Sequence, residues 1–159
     1  MIVSTMAAKY RHLIGAIILI PCLSFAQLKK PVDLQTGADQ PGAYLPLLHA
    51  KNVGIVANQT SIKGDVHIVD FLLENKIDLK KVFSPEHGFR GKASAGEKVN
   101  SSLDEKTGLP IVSLYGKNKK PTNEQLKGLD ILIFDIQDVG ARFYTYISTM
   151  TYVMEACAE

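Results

Sequence analysis

The sequence predicts an α/β fold, a parallel sheet with flanking helices. Three observations predict it. Strand-like apolar runs alternate with helix-like segments, the pattern of βαβ units joined by right-handed crossovers. Two of the runs, residues 52–58 and 130–136, are continuously apolar between polar ends, as in strands buried on both faces. Polar clusters follow the strand exits, where open α/β sheets build their sites.

Each element has its own signal. Residues 52–58 form the first strand. Asp65 is placed to cap a helix running to about Glu74, with Val66, Val69 and Leu73 on one side and Ile68 and Leu72 beside them. Residues 81–84 and 110–115 are the second and third strands. Thr122 and Gln125 fit a capping box for a short helix ending at Gly128. Residues 130–136 are the fourth and strongest strand. A helix starts near Tyr146, and Met150, Val153, Met154 and Cys157 recur at i, i+3, i+4, i+7, which marks its buried face. Cys157 then reads as a small core residue.

The N-terminal end has a different grammar. Lys9, Arg11 and His12 precede an apolar run at 13–23 and a small-x-small site at Ser24-Phe25-Ala26. That is a secretory signal peptide over residues 1–26. A membrane anchor would need about 20 apolar residues. Residues 27–43, with Pro31, Gly37, Pro41 and Gly42, read as a linker, and 44–159 as the domain. The last helix reaches Glu159 without a C-cap glycine, so the sequence reads as the N-terminal part of something longer. Export to the periplasm or beyond is expected, with no membrane association after cleavage.

Charge and cysteine use narrow the function classes. Lys9 and Arg11 account for two of the 18 Lys+Arg, so the remaining 16 balance the 16 Asp+Glu. No electrostatic case for nucleic acid remains. Cys22 leaves with the signal, and Cys157 alone can form neither an intrachain disulfide nor a cysteine metal cluster.

The chemistry concentrates in Ser84-Pro85-Glu86-His87-Gly88-Phe89-Arg90-Gly91, a glycine-punctuated turn leaving the second strand. Glu86 at a strand exit, beside Pro85 and Phe89, is placed for partial desolvation, which raises a carboxyl pKa and suits a general acid. A solvated loop glutamate is the plain alternative. His87 could orient Glu86, contact substrate or bind metal. Arg90 could fork onto a carboxylate or phosphate, or be a solvated surface residue. Gly88 and Gly91 would permit positive φ or close approach. The aperiodic stretch 86–108 opens on this motif, so it reads as a functional loop.

A second cluster follows the fourth strand: Asp135, Gln137, Asp138, Arg142, Tyr144 and Tyr146. Asp135 or Asp138 could be the second carboxylate of a glycosidase pair, or hold Arg142 in an ion pair. Tyr144 and Tyr146 could stack on a sugar ring or pack at the sheet edge. The basic loop Lys117-Asn118-Lys119-Lys120 reads as solvated, or as drawing an anionic polymer to the mouth of the site. The chain has no G-x-S-x-G elbow, no Walker A loop and no G-x-G-x-x-G after the first strand. Neither a cofactor nor a metal is expected.

Three blocks carry a family resemblance: Ser84 to Gly91, Val112-Ser113-Leu114-Tyr115-Gly116, and the run from Phe134 through Asp138, Gly140 and Arg142 to Tyr146. With them the chain resembles the bacterial exo-β-N-acetylmuramidases, from about Tyr44 to its last residue. The resemblance implies a Rossmann-like N-terminal domain, cut off here before a smaller C-terminal one. It implies a glycosidase that removes N-acetylmuramic acid from the non-reducing ends of peptidoglycan fragments in cell-wall turnover. It maps the general acid onto Glu86 and puts Asp138, the second catalytic candidate on its residue chemistry, in the muramic acid pocket. His87, Arg90, Gln137, Arg142 and Tyr144 would line the muramic acid pocket, Arg90 or Arg142 gripping the lactyl carboxylate. A retaining, inverting or substrate-assisted course all stay open. Two rival readings stand beside it: a non-catalytic binder of muropeptides, and a metal-dependent hydrolase using Glu86 and His87.

Overall fold

The computed structural model describes residues 34–86, 88–91 and 102–159. The expected signal peptide, the first part of the expected linker, His87 and residues 92–101 of the long loop lie outside the described residues.

The elements in chain order are helix α1 (Pro41–Leu48), strands β1 (Val53–Ala57), β2 (Ile62–Lys63) and β3 (Val66–His67), helix α2 (Ile68–Glu74), and strands β4 (Leu79–Ser84), β5 (Ser102–Leu103) and β6 (Pro110–Ser113). Helix α3 (Asn123–Leu126), strand β7 (Ile131–Asp135) and helix α4 (Tyr146–Ala158) complete them. The main sheet runs β5-β6-β4-β1-β7. Strands β6, β4, β1 and β7 are parallel, and β5 pairs antiparallel at the edge. This is the expected α/β parallel sheet with flanking helices. The chain leaves β1 for β4 and β6 on one side, then returns for β7 on the other. That reversal puts a switch point at the carboxyl ends of β1 and β7, where such sheets bind ligands.

Alternation along the strands builds two cores. Val53, Ile55 and Ala57 of β1 pack with Leu48 of α1 and with Ile68, Val69 and Leu72 of α2. Val56 points the other way, toward Phe83, Leu114 and Val153 of α4. Val53, Ile55 and Val56 are fully excluded from water, each contributing about 1.5–3 kcal/mol of burial. Gly54 stands on the α4 side. A Cβ there would lie 2.7 Å from a methyl of Leu129, 2.7 Å from one of Leu132 and 3.3 Å from the Phe83 ring. Gly54→Val is therefore expected to destabilise by about 1–3 kcal/mol through overpacking, read as a lower midpoint in denaturant unfolding.

Several local expectations need correction. The helix after β1 starts at Ile68, not Asp65. Gly64-Asp65 is instead the two-residue turn of the β2–β3 hairpin, with Ile62 opposite His67 and Gly64 at φ +58°. His67 is the true cap: its Nδ1 accepts the N–H of Val69 at 3.3 Å. Helix α1 begins at Pro41, inside the segment read as linker. Pro at the first helical position, the signal for it, is there. The capping box holds as expected, with Gln125 Oε1 accepting the Thr122 N–H at 2.9 Å and Thr122 Oγ1 accepting that of Gln125 at 3.3 Å. Strand β7 is only half-buried along its length, because it has one neighbour, β1.

Helix α4 is the other correction. Its buried positions are Tyr146, Thr149, Val153 and Ala156, whereas Met154 and Cys157 are exposed. Only Val153 belongs to both sets, so Cys157 is not a core residue. The helix turns its Tyr146 and Thr149 inward near the sheet's carboxyl edge, where polar groups serve the site. The more apolar stripe through Ile147 and Met154 faces outward.

Candidate functional site

The Glu86 turn is assembled by what its neighbours bury. Phe89 joins the α2-side core and is 4% exposed. The His67 ring meets it edge-on at 4.9 Å between centroids. His67 Nε2 lies 2.9 Å from the Asn58 carbonyl while Nδ1 serves the α2 cap. The partners therefore select the neutral tautomer with the proton on Nε2. Burial pushes the His67 pKa down, in agreement. One imidazole thus ties the turn after β1 to the start of α2 and to the loop after β4.

Arg90 completes the anchor. Its Nε and one terminal nitrogen donate to the two oxygens of Asp104, each at 2.8 Å. The terminal nitrogens also reach Asp70 at 3.1 and 3.3 Å. Lys106 adds a 2.7 Å contact to Asp70, and Thr107 Oγ1 donates to Asp104 at 2.7 Å. Asp70 and Asp104 are 8% and 5% exposed. The Arg90 hydrogen bonds hold the Asp104 carboxyl down at about 2. For Asp70, burial pushes upward, but the bonds from Arg90 and Lys106 leave its pKa below the usual carboxylate value. Arg90 was expected to grip a substrate carboxylate. Four of its five N–H groups are already committed to these aspartates, so it acts as a clamp on the loop.

With Phe89 and Arg90 held on the α2 side, Glu86 emerges on the α4 side. It lines a cavity of about 190 Å³ with Leu114, Tyr115, Lys119, Thr145, Ser148, Thr149 and Tyr152. The exits of β4 and β6 and the first turns of α4 make its walls. Glu86 is partly exposed. Above it, burial raises the Tyr146 phenol pKa, with Asn58 pulling the other way and the Glu86 charge adding to the rise. Asn58 is fully buried; its Oδ1 accepts from the N–H and hydroxyl of Thr60 at 2.8 and 2.7 Å. Its Nδ2 makes no regular hydrogen bond among the described residues, and it is the donor through which Asn58 favours the ionised Tyr146 phenol.

The second cluster divides. Asp138, Gln137, Arg142 and Tyr144 lie exposed on the loop after β7. Asp138 Oδ1 accepts the Gly140 N–H at 2.7 Å, an Asx turn, and Asp138 does not line the Glu86 cavity. The expected Asp–Arg142 ion pair does not form among the described residues. Tyr144 lies 6.2 Å from Tyr146, ring to ring, so it borders the site through that neighbour.

Asp135 faces the other side of the sheet. It lines a separate groove of about 420 Å³ with Tyr44, Leu48, Ile68, Leu72 and Ile133. Burial raises its pKa, and its Oδ2 has no partner among the described residues. An acid whose pKa is higher folded than unfolded lowers stability once ionised. Asp135→Asn is expected to unfold at higher temperature than wild type at pH 7. The difference should vanish as pH falls below the carboxylate range.

Sequence reasoning did not foresee Tyr152, Thr145 and Ser148 as cavity walls, or Asn58 beside them; Lys119 lies in the basic loop whose second reading was a place at the mouth of the site. The strand-exit rule that found Glu86 also points to Tyr115, the last residue of the third apolar run and two positions past the end of β6.

Residues 53–159 match the family described as exo-beta-N-acetylmuramidase NamZ, N-terminal. The chain is 55% identical over 138 residues to the peptidoglycan beta-N-acetylmuramidase NamZ of Bacillus subtilis (strain 168), covering 82% of this chain and 32% of that protein. Two crystal structures of DUF1343 family proteins from Bacteroides fragilis NCTC 9343 are also similar. One aligns with a TM-score of 0.65 at 48% identity, covering 77% of this chain and 31% of the other. The second aligns with a TM-score of 0.67 at 41% identity, covering 75% and 30%. The chain spans about a third of the length of these relatives.

Proposed function

The chain belongs to the NamZ N-terminal family of exo-β-N-acetylmuramidases, and from that membership we propose that it supplies the acid-bearing part of a glycoside hydrolase. The hydrolase releases N-acetylmuramic acid from the non-reducing ends of peptidoglycan fragments. One observation carries the reading: Glu86 lines a small cavity with Tyr115, Tyr152, Thr145, Ser148 and Thr149, residues that supply aromatic rings and hydroxyls. A terminal sugar needs that combination of aromatic surface, hydroxyl partners and one acid. Glu86 donates a proton to the glycosidic oxygen as the bond to the anomeric carbon breaks.

Asp138 is the candidate second group, with Gln137, Arg142 and Tyr144 on the same loop as substrate contacts and His87 beside the acid. The exposure of Gln137, Asp138, Arg142 and Tyr144 suits a loop that meets substrate. Export through the signal at residues 1–26 places the enzyme with its substrate, outside the cytoplasm. The secreted protein is then expected to begin at Gln27, which N-terminal sequencing reads.

The test uses defined muropeptides and the full-length protein. Fragments ending in N-acetylmuramic acid should yield that sugar, detected by mass spectrometry. Fragments ending in N-acetylglucosamine should stay intact. Binding of the first set without any release would replace the enzyme reading with the muropeptide-binding one.

A further inference from the structure

N-acetylmuramic acid differs from N-acetylglucosamine by one lactyl ether, whose carboxylate is charged at neutral pH. A cation near that group is the strongest means for a site to discriminate between them. The two arginines that the sequence offers are poor candidates. Arg90 is clamped between Asp70 and Asp104. Arg142 lies exposed and off the cavity wall.

We propose that Lys119, which lines the cavity with Glu86, is the specificity-determining cation and binds the lactyl carboxylate. This rests on the muramidase reading above. Among the described residues Lys119 is the cation on that wall, and it forms no salt bridge there, with Glu86 or any other acid.

Its placement is built by its neighbours. Gly116 at φ +72° lets the chain turn after β6. On one side, Asn118 Nδ2 donates to the Ser113 carbonyl at 2.7 Å. On the other, Lys120 reaches Glu159 at 2.6 Å and Glu155 at 3.6 Å, at the far end of α4. Three consecutive polar residues thus have three destinations. The outer two tie the loop to β6 and α4, and the middle one is delivered to the cavity. Lys119 itself is exposed, so its ammonium is open to a substrate entering the cavity it lines. The ammonium is a compact point charge on a flexible stem, suited to a carboxylate that swings on a lactyl ether.

The test compares a chromogenic β-N-acetylmuramide with its lactyl amide, in which the negative charge is gone. Wild-type full-length protein should prefer the acid by about 10- to 100-fold in kcat/KM, the range for a hydrogen bond to a charged group. In Lys119→Gln and Lys119→Met that ratio should collapse toward one, mainly through KM, and Lys119→Arg should restore part of it. A ratio unchanged in both neutral variants would overturn the proposal. So would a loss that falls equally on both substrates, which marks a structural role. If wild type cleaves neither compound, the muramidase reading fails first. Calorimetric titration with N-acetylmuramic acid and N-acetylglucosamine then decides: a preference for the acid that Lys119→Gln loses supports the assignment, while no preference, no binding, or a retained preference overturns it.

Discussion

Arg90→Ala is expected to be the most destabilising single substitution in the loop, costing about 3–5 kcal/mol, because it strands buried charge. Asp70 and Asp104 are almost fully buried, and both converge on one guanidinium. Removing it leaves two carboxylates facing each other, with only Lys106 and Thr107 in compensation among the described residues. Arg90→Lys keeps the charge but cannot fork onto both acids, so it should recover part of the loss. The linkage has a definite sign. Asp104 titrates at about 2 in the folded state, below the ordinary carboxylate value of about 3.9. Its contribution is therefore complete above that ordinary value and disappears as pH falls toward about 2. Unfolding of wild type and Arg90→Ala across pH 7 to 2 should show a large gap at neutral pH that closes in acid. A constant gap would mean that Arg90 acts through packing against Phe89, whose ring lies 4.7 Å below it.

The second large effect is catalytic. Glu86→Gln should lower turnover by about 10²–10⁴-fold or more, the usual worth of a positioned proton donor. The amide keeps the shape and polarity of the side chain and removes the proton. Glu86 is partly exposed and carries no ion pair among the described residues, so the thermal midpoint should move little. Muropeptide binding should also persist, because the rings and hydroxyls of the cavity are untouched. Retained hydrolysis in Glu86→Gln would take the general-acid role away from this residue. Lost hydrolysis together with a large fall in midpoint would show that Glu86 is structural.

Much of this was legible in the chain. Continuous apolar runs located β1 and β7, and the Thr122–Gln125 box located α3, because these signals are local. The Glu86 turn stood out for the same reason: acid, glycine and proline together at a strand exit. What stayed hidden depends on contacts distant in sequence. Asp70 is 20 residues from Arg90 and 36 from Lys106, and nothing local marks the three as one cluster. Arg90 in a glycine-rich turn looked like an anion fork, and it is one, but its anions are the protein's own. The face of α4 was misjudged because hydrophobicity favoured Met154 and Cys157, whereas the site needs Tyr146 and Thr149 against the sheet edge. Lys119 sits in a loop that reads either as solvated or as drawing an anionic polymer to the site; its direction comes from the tethers of Asn118 and Lys120.

The most direct measurement is release of a chromogenic aglycone from its β-N-acetylmuramide by the full-length protein, with the β-N-acetylglucosaminide as control. Release from the muramide, absent from the glucosaminide and absent in Glu86→Gln, is the predicted result. Equal release from both sugars, or release that survives Glu86→Gln, would contradict the assignment of this cavity as the muramic acid site.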